Sequence, residues 1–336
     1  MRIKFGAFLI TILFLYSCSS TSNDEMPVLT NQKAKIVGYL PVYNFSVSNK
    51  IEYCKLTHLN LSFANPDSEG NIIMANVNEV MADAVSDNPN IVIFISLAGG
   101  ALTSEQAINW SNLIDIPANR PAFINKIVEY VVLNNFDGVD LDLEWSHVTS
   151  GYSDFAVELD AALTAKNKLF SAALPCLTLF PNINAKALQA FDFINIMAYD
   201  ATGPWRPAES GQHSSFEFAK SGIDFWKKTV GIDASKLTLG VPFYGYTFNS
   251  STSANSFKYA DMVLLNNSNA DVDKLGNSFY NGRPTIKRKV DLASKEVGGI
   301  MIWQLAQDSF DQYSLLKTIH EKYSNLGVRT TELCGN

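Results

Sequence analysis

Carboxylates alternate with apolar side chains through Asp137-Gly138-Val139-Asp140-Leu141-Asp142-Leu143-Glu144-Trp145. On a strand, successive side chains face opposite sides. Asp140, Asp142 and Glu144 therefore share one face, and Val139, Leu141 and Leu143 the other. A row of acids on one face is costly, because strands disfavour Asp and close carboxylates suppress one another's ionisation. The Val, Leu and Trp around the acids read as a buried parallel strand rather than a solvated edge. Such a row suits acid catalysis, with Glu144 at its C-terminal end keeping a proton at neutral pH. Asp137 has the opposite parity and reads as structural.

A buried parallel strand needs neighbours. Short apolar, β-branched or aromatic runs recur at 36–40, 56–64, 91–97, 138–144, 170–174, 193–197, 237–241 and 299–303. Helix-period stretches occupy 77–86, 122–134, 153–165, 185–190, 215–228 and 286–296, with a last one at 314–323. Strand and helix alternate eight times, which predicts an α/β protein whose parallel sheet closes into a (β/α)8 TIM barrel. The connection after the first strand is the weakest, with at best a short helix at 48–53. An open doubly wound sheet is the alternative, but no Gly-rich phosphate loop follows the first strand.

In such a barrel the site lies at the C-terminal ends of the strands. In chain order those ends carry Tyr39, Phe63, Gly99 and Gly100, then Asp142 and Glu144, then Met197, Tyr199, Asp200 and Trp205, and finally Tyr244 and Trp303. Sugar rings stack on aromatic faces and acids bond hydroxyl and amide groups, so this composition suits a glycan groove.

Asp-x-x-Asp-x-Asp-x-Glu over 137–144 resembles the signature of the family 18 glycoside hydrolases, the chitinases and endo-β-N-acetylglucosaminidases. Met197-Ala198-Tyr199-Asp200, Pro242-Phe243-Tyr244-Gly245 and Trp303 at the end of strand eight are similar to further segments of that family. The resemblance implies a retaining, endo-acting hydrolase of β-1,4-linked N-acetylglucosamine polymers. In that scheme the substrate's own 2-acetamido oxygen attacks and Glu144 serves as acid, then base. Asp142 would orient the acetamide, Asp140 would tune Asp142, and Tyr199 would bond the N-acetyl group. Asp200 would shape the same pocket over a Trp303 floor. Tyr39, Phe63, Gly99, Gly100, Met197 and Tyr244 would help to bind the sugar, with Trp205 at a flanking subsite. No metal or cofactor is implied. Two alternatives stay open: cleavage of the chitobiose core of N-glycans, and a sugar-binding lipoprotein without catalysis.

Two departures stand out. The family's Ser-x-Gly-Gly is Ser96-Leu97-Ala98-Gly99-Gly100 here, with one extra residue, which leaves the part played by Ser96 open. The stretch 245–298 must hold helix seven and an Asn/Ser-rich loop, so the α+β insert of many relatives should be absent or minimal and the groove open.

Residues 1–18 read as a signal segment. Arg2 and Lys4 precede an apolar run over 5–16, too short to span a membrane. Leu15-Tyr16-Ser17-Cys18 resembles a lipoprotein processing box, with Cys18 as lipid anchor, 19–34 as tether, 35–324 as the catalytic barrel and 325–336 as a tail. The expected location is the cell envelope, by outer-membrane anchoring or secretion. Without Arg2 and Lys4 the chain carries 24 basic against 33 acidic residues and no basic cluster, which argues against nucleic acid and for a neutral polymer partner. A monomer is expected. Cys54, Cys176 and Cys334 match no metal spacing; at most one disulfide joins them, and at least one should be a buried thiol.

Overall fold

In the computed structural model, which describes residues 33–330, eight parallel strands close on themselves. They are β1 (Lys35–Pro41), β2 (His58–Pro66), β3 (Val92–Ala98), β4 (Gly138–Asp142), β5 (Leu169–Pro175), β6 (Phe193–Met197), β7 (Leu237–Pro242) and β8 (Gly299–Trp303). Each pairs with its sequence neighbour, and β1 pairs with both β2 and β8, which shuts the cylinder. The signal segment, the Cys18 anchor, most of the tether and Cys334, expected within 1–32 and 331–336, lie outside the described residues.

The outer faces of the strands carry the apolar half of the alternation. Val139, Leu141 and Leu143 are buried in one cluster with Ile124, Ile127 and Val128 of the helix Arg120–Leu133. Each such aliphatic side chain contributes roughly 1.5–3 kcal/mol of burial, so the period-two pattern locks the acids' face inward. Asp137 is structural as read: its Oδ2 accepts the Ile93 N–H at 2.8 Å.

Differences from the sequence reading have local causes. The connection after β1 is a 3-10 helix at Val42–Lys50 with a further turn at Tyr53–Lys55. A helix that the periodicity did not suggest spans Ser104–Ile114, started by a capping box between Thr103 and Gln106. The stretch after β7 holds a minimal insert rather than none. Tyr244–Ser250, Ser253–Lys258, Lys274–Leu275 and Ser278–Phe279 form a four-stranded antiparallel sheet, with one short helix at Tyr259–Leu265. The Asn/Ser-rich composition read as loop supplies the hairpin and turns of this sheet. Cys54 is disulfide-bonded, whereas Cys176 is a free and buried thiol.

Candidate active site

The acids of β4 point into the barrel at graded depth. Asp140 is fully buried and takes four donors: the Tyr39 hydroxyl and Ser96 Oγ at 2.7 Å on Oδ2, and Ser171 Oγ at 2.6 Å and Asn195 Nδ2 at 3.3 Å on Oδ1. Burial raises its pKa, and the four donors pull it back down. Ser96 thus keeps a role despite the extra residue after it. Asn195 is fixed in turn by Thr238, whose hydroxyl donates to its Oδ1 at 2.6 Å.

Asp142 sits one step higher with Oδ1 buried and unpartnered. Burial lifts its pKa well above the carboxylate range, and the charges of Glu144 and Asp140 add to that. Glu144 lies just past the strand in extended backbone at φ −122° and ψ 154°. Burial, then the nearby Asp200 charge, push its pKa up to about 7.

Asp200 faces this pair from the end of β6, with backbone in the left-handed region at φ 62°. Its Oδ1 accepts the hydroxyls of Tyr244 at 2.6 Å and Tyr246 at 2.9 Å, and His213 Nδ1 lies 3.3 Å away. Tyr199 packs edge-on to Tyr244 with ring centroids 6.2 Å apart. Trp303 stacks on Phe63 at 5.6 Å and 24° and meets Tyr39 edge-on at 5.7 Å.

A cleft of about 410 Å³ opens over these groups. Of the residues read from the sequence, Phe63, Gly99, Gly100, Asp142, Glu144, Met197, Tyr199, Asp200 and Trp303 line it. Three residues expected to bind sugar lie outside this lining. Tyr39 lies beneath the cleft, where its hydroxyl serves Asp140, and Tyr244 lies behind Asp200. Trp205 is 54% exposed, stands edge-on to Tyr246 and is outside the lining. Asn65, Gln106 and Tyr43 line the cleft without having been singled out as binding residues. Tyr246 and His213 were missed too. Tyr244-Gly245-Tyr246-Thr247-Phe248 alternates with period two, a strand signal that puts both tyrosines on one face.

An aromatic-floored cleft with acids at the mouth of a closed parallel barrel is the layout of a glycoside hydrolase. Residues 35–308 match the model of the glycosyl hydrolases family 18, and the chain belongs to that family. It is similar to the crystal structure of the family 18 chitinase ChiB from the chitin utilization locus of Flavobacterium johnsoniae. The two are 56% identical with a TM-score of 0.89, over 91% of this chain and 98% of that one. A chitinase from Bacteroides thetaiotaomicron is 26% identical with a TM-score of 0.74, over 87% of this chain and 96% of that one. The class V chitinase of Arabidopsis thaliana is 27% identical over 248 residues, 66% of this chain and 64% of that protein. The chain thus spans a little under two thirds of that curated relative.

Proposed function

We propose that the protein is a retaining, endo-acting hydrolase of β-1,4-linked N-acetylglucosamine polymers, working by substrate-assisted catalysis. One observation carries this reading: Asp142 and Glu144 rise from the same side of one strand into one cleft. A two-carboxylate retaining mechanism needs acids on opposite sides of the bond, about 5–5.5 Å apart. Asp200 is a poor nucleophile, since its Oδ1 already accepts the hydroxyls of Tyr244 and Tyr246. Family 18 enzymes are a recognised exception to the two-carboxylate scheme, the substrate's acetamide acting instead.

The steps follow from the groups present. Glu144, protonated near neutrality, donates to the leaving glycosidic oxygen while the 2-acetamido oxygen closes on the anomeric carbon. Asp142, with an unpartnered oxygen, accepts the acetamide N–H as positive charge develops there. The ionised Glu144 then takes a proton from the water that opens the oxazolinium ring, which restores the starting anomer. Asp140, fixed by its own donors, acts on Asp142 through like charge, which raises the Asp142 pKa.

The similarity to chitinases favours chitin or chito-oligosaccharides over the N-glycan core. Lipid anchoring at Cys18 would place the activity on the cell envelope. The deciding experiment is Glu144→Gln assayed on an N-acetylglucosamine hexamer beside a glycoprotein substrate. Wild-type turnover by that variant would end the mechanism, and release of glycan from the glycoprotein alone would move the substrate. Equal wild-type rates on cello-oligosaccharides would exclude attack by an acetamide.

A further inference from the structure

Glu144 is held by walls rather than by bonds: among the described residues its carboxyl has no hydrogen-bond partner. The backbone of Gly100 lies so close that a Cβ added there would fall on Glu144 Oε1. Whatever fixes the path of Gly100 therefore fixes the acid. That path is unusual. Ala98 and Gly99 both take left-handed backbone, at φ 78° and 92°. Glycine adopts it freely, but alanine is disfavoured there by its Cβ. Ala98 is the residue by which the chain departs from Ser-x-Gly-Gly.

Two hydrogen bonds hold the bulge. The Gly99 N–H donates to the Asp142 carbonyl at 2.9 Å, and Asn65 Nδ2 donates to the Ala98 carbonyl at 3.1 Å. Asn65 is itself oriented, because the indole N–H of Trp110 donates to its Oδ1 at 2.8 Å. With the oxygen turned to the indole, the amide nitrogen must face Ala98. Both side chains are buried, Asn65 at 9% and Trp110 at 1% exposure. Trp110 comes from the helix Ser104–Ile114.

We propose that Asn65, oriented by Trp110, is a positioning residue for Glu144, pinning the Ala98–Gly100 backbone against the acid so that its carboxyl stays in place and dry. The proposal rests on Glu144 being the acid and adds what holds it. Dryness is what raises Glu144 to about 7, so loosening this wall admits water and lowers the value.

The test is Asn65→Leu, the same branching with neither donor nor acceptor. Glu144 is followed by carbon-13 NMR of labelled glutamate carboxyls and assigned by its absence in Glu144→Gln. Its titration midpoint should fall from about 7 to about 6 or below, and the alkaline limb of kcat/KM, which reports the free enzyme, should move with it. At pH 7 the protonated fraction falls about fivefold or more, so kcat should drop by about that factor and KM stay within about twofold. Adding Ala98→Gly, which frees the backbone from its need of support, should restore part of the lost kcat. A wild-type midpoint in folded Asn65→Leu overturns the proposal. If that variant does not fold, Trp110→Phe, which removes the indole donor together with part of a buried ring packed on Phe123 and Phe155, is read the same way: a lowered midpoint supports the proposal and an unchanged one overturns it. The titration needs no turnover, so an active Glu144→Gln would sink the acid assignment without deciding this question.

Discussion

Tyr246 donates a 2.9 Å hydrogen bond to the same Asp200 oxygen that Tyr244 reaches at 2.6 Å, so two residues of one insert strand converge on a carboxylate of the barrel. That carboxylate faces Glu144 and raises its pKa. Asp200→Asn keeps the shape and removes the charge, so the Glu144 value should fall. The alkaline limb of the kcat/KM profile should then move to lower pH, because the acid must be protonated to act. Tyr246→Phe, which removes one donor but leaves the charge, should lower kcat about three- to tenfold and leave that limb in place. A profile of Asp200→Asn matching wild type would remove Asp200 from the electrostatics of the site.

Burying Glu144 has a cost that depends on pH. Its ordinary value is 4.5 and its folded value about 7, so between these the folded chain keeps a proton that the unfolded chain releases. The contribution to stability is complete below about 4.5 and is lost as pH rises through about 7. Glu144→Gln cannot ionise and escapes that loss. The variant should therefore match wild type near pH 4 and exceed it at pH 8, by at most about 3 kcal/mol. Urea unfolding at the two pH values measures the difference. An equal offset at both would show that the carboxyl is hydrated.

Tyr39→Phe tests the floor. The substitution keeps the ring against Trp303 and removes the 2.7 Å donor to buried Asp140. Loss of a hydrogen bond to a buried carboxylate costs about 1.5–3 kcal/mol. Thermal unfolding should show that cost, and activity should fall with it, because the charge of Asp140 sets the pKa of Asp142. A neutral Tyr39→Phe would mean that Ser96, Ser171 and Asn195 satisfy Asp140 by themselves.

The sequence exposed what depends on period and missed what depends on approach. The acids of β4 and the aromatic strand ends were legible because a strand fixes which side chains share a face and a parallel barrel fixes which end is the site. Whether a side chain at a strand end meets the cleft or supports it was not legible. Tyr39 and Tyr244 reach acids instead of the cleft because each is long enough to cross to a neighbouring carboxylate. Asn65 stayed hidden because a lone Asn near a strand end carries no periodic signal, and its partners lie 33 and 45 residues along the chain. The insert sheet was concealed by Asn and Ser, which propensity assigns to loops and which pairing overrides here.

Trp303 offers the most direct reading of the sugar floor. It stacks on Phe63 at 24° and stays partly open to the cleft between Asp142 and Tyr199. Trp303→Phe leaves an aromatic ring on Phe63 but less area beneath a pyranose. Measured in a Glu144→Gln background, so that no substrate is consumed, the Kd for an N-acetylglucosamine hexamer should rise about tenfold, roughly 1.4 kcal/mol. The binding enthalpy should become less favourable in the same titration, since stacking contact is what is lost. Unchanged affinity would place the scissile sugar elsewhere, against Tyr43 at the rim of the cleft, and Tyr43→Ala would then carry the loss.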